Sequence, residues 1–451
     1  MSKILTSLIS LLFITTIATA QEVTRLSLKD CMDYALKHNY NIKNAQIDVL
    51  IQDAQNKETL SAAYPHINGK AEFDDFYVPQ QTFIDASTFA FPGTQVAPKG
   101  TIEAFQFTLP YAASAGITTS QVIFDGSVLI ALKARNTVME LARNNSKVTE
   151  ENIRYNIYKA YNSLVIAYRQ YDIIKQSLVY ARSLEHDVTV TKENGFAEKI
   201  DVERTSVQVN NLATDSIRIN NMLTVSEQVL KYQMGMNINE PIILTDTMTE
   251  DRKQEAVQLL NEQEEYERVP EYSVLTTSLK LNEFNLQRYK LAALPTLNGF
   301  WAYGANYGGE EAEKLFIFNR YWSSSTLGLQ LNVPIFNGFM RTNQVTEAKL
   351  NIEKTRNNIE YLKQTIDFQA AQSRTTLKNA ILETQSQHRN LDLANDVLDL
   401  AQRKYKAGVG SNLEVTQAQT DQLSAQTNYF NALLDIINAE ADLKKALGLL
   451  K

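Results

Sequence analysis

Two hydrophobic patterns alternate along the chain. Near the C-terminus Leu423, Phe430 and Ile437 recur every seven positions, with Thr427, Leu434 and Ala441 at the second core position of a heptad and Gln, Asn, Asp and Lys between them. That period belongs to a helix. Its apolar stripe is narrow, so the helix is expected to lie side by side with others in a layer close to water rather than inside a globular core. The stretch "STLGLQLNVPIF" behaves differently. Leu327, Leu329, Leu331 and Val333 alternate with Thr326, Gly328, Gln330 and Asn332, the period of a strand with one apolar and one polar face. "LNGFWAYGANY" puts Leu297, Trp301, Tyr303 and Tyr307 on one face, and "FQFTLPY" does the same with Phe105, Phe107, Leu109 and Tyr111.

Glycine and proline mark where one pattern gives way to the other. They crowd residues 65–126 and 295–338 and are absent from 127–194, 196–234, 339–407 and 411–447. The breaker-free tracts are expected to be helices, the longest about 100 Å if continuous. The breaker-rich segments are expected to be strand hairpins at about 65–124 and 295–336, with aromatic ends at Phe89, Phe91, Phe316, Phe318, Tyr321 and Trp322. A soluble sandwich edge with one wet face would give the same alternation. Apolar-out, polar-in strands with aromatic ends also suit an outer-membrane barrel.

The order of patterns occurs twice. A shift of 213 positions carries Ile153 to Ile366, Gly195 to Gly408, Asp201 to Glu414, Val202 to Val415 and Gly235 to Gly448, and "AAYPHINGKAEF" at 62–73 answers "AALPTLNGFWAY" at 292–303. We therefore read residues 21–235 as one repeat, 236–270 as a connecting segment and 271–451 as a second repeat. Periods of this size lie outside those of small-repeat solenoids. Between each hairpin and its long helix stands an elbow, "VIFDG" at Phe124 and Gly126 and "VPIFNG" at Pro334, Phe336 and Gly338. Proline gives up a ladder hydrogen bond, the aromatic can fill the corner, and glycine permits a turn closed to other residues. The first elbow lacks the proline, so the two are expected to bend differently.

Composition narrows the function. With 44 basic against 51 acidic residues and no basic run, a nucleic-acid partner is not expected. Residues 1–20 read as a signal peptide: Lys3, an apolar stretch from Ile4 to Ile17, then Ala18-Thr19-Ala20. Cys31 is the one cysteine, which leaves no intrachain disulfide and suggests a buried small residue. No later stretch has the roughly 18–20 apolar residues of a spanning helix, so any membrane-spanning part must be strands. His38, His66, His186 and His388 are scattered, and no phosphate loop, dinucleotide fingerprint or nucleophile elbow occurs. Neither an enzyme nor a cofactor is expected. Two strands per repeat give four per chain, whereas single-chain barrels start at about eight. A barrel must therefore be shared by a homo-oligomer, because open edges are not tolerated in lipid.

The combination of "LSLKDCMDYALKHNYNIKNA", the "YP" and "LP" before the strands, "VPIFNGFMR", "RVPE" and "YKAGVGSNLEV" resembles the TolC family of outer-membrane efflux proteins, over essentially the whole chain after residue 20. The resemblance implies a mainly α fold with β: a homotrimer with a twelve-stranded membrane barrel, continued by a long α-helical barrel into the periplasm. It implies a passive exit duct of a tripartite efflux pump or of type I secretion, working with a periplasmic adaptor and an inner-membrane RND or ABC transporter.

The resemblance also assigns the two turns at 193–202 and 406–415 to the periplasmic tips. Gly195, Phe196, Ala197, Gly408, Val409, Gly410 and Ser411 would receive the adaptor. Asp201 and Tyr405 would hold the gate by a hydrogen bond from hydroxyl to carboxylate, worth roughly 1.5–3 kcal/mol where shielded from water. Asp201 could equally be a first-turn acid favoured by the helix dipole. Relatives carry an arginine at the place of Gly410, which leaves Arg403, Lys404 or Lys406 to substitute. Glu414 would face the lumen as an acidic ring, with Gln417 at a second ring position; the alternative is a solvated surface glutamate. A secreted, elongated coiled-coil structural or adaptor protein without a channel shares the helices and the leader, but has no use for the hairpins and elbows.

Overall fold

A computed structural model describes residues 24–88, 97–246, 252–317 and 321–450. The leader at 1–20, Phe89, Phe91 and Phe318, and the side chain of Phe316, lie outside the described residues. In chain order the elements are β1 (Thr24–Leu26), α1 (Leu28–His38), α2 (Tyr40–Ser61), β2 (His66–Asp75), β3 (Gln81–Asp85), β4 (Ile102–Gln106), β5 (Tyr111–Phe124), α3 (Gly126–Glu193), α4 (Lys199–Met234), β6 (Ile242–Leu244), α5 (Arg252–Leu259), α6 (Pro270–Leu291), β7 (Thr296–Gly309), β8 (Trp322–Asn332), α7 (Met340–Lys406) and α8 (Asn412–Ala446). The helices come in matched lengths. α2 and α6 each have 22 residues, α3 and α7 have 68 and 67, and α4 and α8 have 36 and 35.

The four long helices stop where glycine lets them. Gly195, Gly235, Gly408 and Gly448 all have left-handed φ, from +65° to +82°. Each closes the same cap: Phe196 N–H donates to Thr191 O and Gly195 N–H to Lys192 O, as Val409 does to Lys404 and Gly408 to Tyr405. This pairing satisfies carbonyls that a helix end leaves without partners. Gly195 and Gly408, and again Gly235 and Gly448, are related by the 213-residue shift.

The described chain divides into two compact units. One comprises residues up to Leu50, Glu140–Ser278 and the chain from Thr355 on. Its helices pack in clusters. Cys31, fully buried, meets Ile157, Tyr161, Leu164, Leu230 and Met234, while Leu377, Ala380, Ile436 and Leu443 form a second cluster with Ala256 and Leu259. α1 begins with a capping box, Ser27 Oγ accepting from Asp30 N–H and the Asp30 carboxylate accepting from Ser27 N–H. β1 and β6 form a short parallel pair.

The other unit comprises Ile51–Met139 and Leu279–Lys354. Its centre is an antiparallel sheet in the order β2-β5-β7-β8. The register places Ile67, Thr119, Trp301 and Leu327 in one row across the sheet, and Ile117, opposite Tyr303, in a neighbouring row on the same face. With Phe73, Leu329 and Leu331 these make one face apolar, and it is exposed: Leu327 is 82% accessible. The opposite face carries Asn68, Lys70, Glu72, Thr118, Ser120, Asn298, Thr326 and Gln330, with Lys70 paired to Glu72 at 2.6 Å. Phe300 is the aromatic exception there, lying over Gly328, where any Cβ would meet its ring at 2.5 Å.

Two expectations need correction. "FQFTLPY" is not one strand: β4 stops at Gln106 and, among the described residues, pairs only with β3, and β5 starts at Tyr111 after Pro110. Proline has no N–H to offer the ladder, so Phe105 and Tyr111 belong to different sheets. The elbows also differ more than the motif suggests. At the second, β8 ends at Asn332, two residues before Pro334, so the proline interrupts no ladder bond there. Gly338 has φ +61°, and Phe339 shares the left-handed region at +63° with its ring edge-on to the exposed Phe336. At the first, Gly126 opens α3 without a positive φ. Its role is proximity, because a Cβ would lie 2.7 Å from Leu291 O. Asp125 provides the cap, its Oδ1 accepting from the N–H groups of Ser127 and Val128.

Candidate functional site

The two glycine turns, with the helix starts that follow them, are the candidate site. Phe196 and Val409 stand out at 85% and 79% exposure, beside exposed Gly195, Gly408 and Ser411, with Ala197 half-buried. Behind them the two helical hairpins meet in one apolar cluster, Leu184, Val188, Ala401, Val415 and Ala418, flanked by Val202, Leu398 and Tyr405. The tips are thus small, apolar and exposed on a packed base.

Asp201 and Tyr405 come near each other but are not bonded. The Asp201 carboxylate is the third residue of α4 and accepts from Glu198 N–H at 3.3 Å, with Arg204 of its own helix at 3.7 Å. Capping occupies it, as the helix-dipole alternative anticipated. Tyr405 has its hydroxyl pKa raised by burial, then by the charges of Asp187 and Asp201. It stays a neutral donor at any physiological pH. At the tips a further link between the hairpins is Asn412, a residue that sequence reasoning passed over. Its buried side-chain amide donates to the Asp201 carbonyl at 3.2 Å, across 211 residues. Ser411 caps α8 by accepting from Glu414 N–H at 3.2 Å, so an S-N start to a helix was the available signal, without any hint of the partner.

Gly410 has a physical reason to lack the arginine of relatives. Its N–H, like that of Val409, donates to Lys404 O, and a Cβ there would sit 2.9 Å from both Lys404 Cβ and Tyr405 N. The turn folds back too tightly for a side chain. Of the basic residues nearby, Arg403 pairs with Asp399 of its own helix, and neither Lys404 nor Lys406 forms an ion pair among the described residues. On α8 Glu414 and Gln417 are exposed, and Gln417 Nε2 donates to Asp421 Oδ1 at 2.9 Å. Asp421, two turns beyond Glu414, is a second acid on that side which sequence reasoning missed.

The family model described as "Outer membrane efflux protein" matches residues 284–449. The outer membrane protein TolC of Salmonella enteritidis is 21% identical over 345 residues, 75% of this chain and 69% of that protein. The chain is similar to proteins of the TolC family. The solvent efflux pump outer membrane protein SrpC of Pseudomonas putida is 32% identical over 145 residues, 32% of this chain and 31% of its own. The chain spans about a third of the length of the first curated relatives it matches. The crystal structure of the outer membrane protein VceC from Vibrio cholerae superposes with a TM-score of 0.69 at 14% identity, over 93% of this chain and 96% of that one. The fold of that outer-membrane protein is thereby shared. No helix among the described residues is long and apolar enough to cross a membrane.

Proposed function

We propose that three copies of this chain form an outer-membrane exit duct, a passive channel that a periplasmic adaptor opens and an inner-membrane RND or ABC transporter drives. The observation that carries this reading is the four-stranded sheet: one exposed apolar face, one polar face, and β2 and β8 each paired on one side only among the described residues. Lipid tolerates neither open edge, so β8 of one copy would pair with β2 of the next. Three such sheets would supply twelve strands around a water-filled lumen, and the two repeats, 21–235 and 271–451 with 236–270 between, would supply the helices. The relatives' names speak of efflux pumps, and this chain would serve the same kind of assembly, in the outer membrane and reaching into the periplasm.

The tips would be the gate and the docking face. Gly195, Phe196, Gly408 and Val409 offer small or apolar contacts to adaptor hairpins, while Asn412 bridging to Asp201 holds the two hairpins of a protomer together. Planar-bilayer conductance of the purified protein tests this. Wild type is expected to show a small unitary conductance, and Asn412→Ala a conductance raised severalfold, with Asp201→Ala intermediate because capping is lost but the carbonyl remains. A large conductance in all three would remove the gate from the tips. No conductance in any would favour an elongated structural protein without a channel.

Glu414 and Asp421 would line the lumen as acidic rings favouring cations. In a salt gradient the double change Glu414→Gln with Asp421→Asn is expected to move the reversal potential toward zero. An unmoved potential would place both side chains away from the ion path.

A further inference from the structure

Three basic side chains and an apolar wall line an open cavity where α8 ends. The cavity, about 370 Å³, lies among α1, α3 and the residues after α8. Leu28, Met32, Leu449 and Leu450 give its apolar wall, and Lys29, Arg154 and Lys444 its charge, with Asp33 the one acid in the lining. In a chain of net charge −7 this local excess of cations is unusual. Neither Lys29 nor Arg154 forms an ion pair among the described residues, whereas Lys444 is held by Glu440 and lies over the Tyr158 ring at 5.1 Å.

The corresponding place earlier in the chain shows how a lysine at this helix position is held. Lys231 stands 213 positions before Lys444, and Glu227 the same distance before Glu440. Lys231 pairs with Glu227 at 2.6 Å, is 4% exposed, and donates to Ile238 O at 3.2 Å. The chain that supplies that oxygen also buries Met236 and Ile242 beside the helix end. After Gly448 the corresponding residues, Leu449 and Leu450, line the cavity.

We propose that this cavity binds an amphiphilic anion, an alkyl chain with a single anionic head. The chain lies along Leu28, Met32 and Leu449, where it leaves water. The head sits among Lys29, Arg154 and Lys444, with the planar guanidinium and two ammonium groups replacing its hydration. A volume of this size falls at the lower end of the roughly 300–1,000 Å³ of small-ligand sites, which suits one alkyl chain and excludes a two-chain lipid. Asp33 beside the head disfavours a second negative charge. The site does not depend on the duct being open or on any partner.

Photo-crosslinking with a diazirine-bearing dodecanoate tests the proposal, on the protein in lipid nanodiscs. Labelling is expected to saturate and to map by mass spectrometry to Met32, Leu449 or their neighbours. Excess dodecanoate should abolish it, and dodecyltrimethylammonium should compete at least tenfold less well. The double variant Lys29→Gln, Arg154→Gln should lower labelling about tenfold, and Met32→Trp, which fills the wall without touching the charge, should lower it as well. Retention of the wild-type melting temperature establishes that both variants are folded. Labelling that does not saturate, that maps elsewhere, or that the cationic amphiphile blocks equally would overturn the site. So would wild-type labelling of both folded variants.

Discussion

Leu327→Lys is expected to abolish insertion of the chain into the outer membrane, while Thr326→Lys, one residue away, is tolerated. Leu327 and Thr326 are neighbours on β8 but stand on opposite faces, Leu327 opposite Trp301 and Thr326 opposite Ala302. If the apolar face meets lipid, a lysine near the bilayer midplane costs about 2–4 kcal/mol per copy. Three copies share one barrel, so the penalty is paid three times before a trimer can form. The Thr326 face would meet water, where a lysine keeps its hydration. The readout is the heat-modifiable oligomer band in the membrane fraction. Loss of the band in the first variant alone supports the assignment of faces; equal yields would show that the apolar face is covered by protein rather than lipid.

Gly448→Ala is expected to destabilise the protein severely, and Gly195→Ala only mildly, although both residues end helices with left-handed φ. At φ +65° and +82° an alanine pays the same kind of backbone cost in both places, roughly 1–2 kcal/mol. The surroundings separate them. A Cβ on Gly195 meets nothing within 4 Å, whereas one on Gly448 would lie 2.5 Å from Arg268 O and 3.0 Å from Arg268 Cβ. The backbone before α6 must then move, at a further cost of about 1–3 kcal/mol typical of overpacking. Thermal unfolding followed by circular dichroism measures the difference. A Gly448→Ala drop in melting temperature no larger than that of Gly195→Ala would mean that the joint between α8 and α6 yields easily. Gly235, whose Cβ would approach His38 O and Asn39 at 2.8 Å, predicts the same for the first repeat.

These contrasts show where sequence reasoning works and where it stops. The tips were legible because Gly195 and Gly408 interrupt tracts otherwise free of breakers, and a left-handed cap needs glycine wherever it occurs. The two faces of β7 and β8 were legible because side chains alternate across a strand whatever it pairs with. Gly126 was misread, since a glycine required by a neighbouring backbone looks the same in sequence as one required by its own φ. The bond from Tyr405 to Asp201 was expected from a resemblance, and capping had already claimed the carboxylate. Asn412 and Asp421 escaped notice because their partners are chosen by how helices lie against each other.

By itself the sequence determined the elements: which tracts are helices, where they end, which strand faces are apolar, and that the order occurs twice. These follow from local rules, the periods of 3.6 and 2 and the conformational limits of glycine and proline. Only the tertiary structure decided the strand order β2-β5-β7-β8, the exclusion of β4 from that sheet, the steric closure of position 410, and the amide that ties the two hairpins together. Each depends on distances between residues far apart in the chain, which no local period encodes.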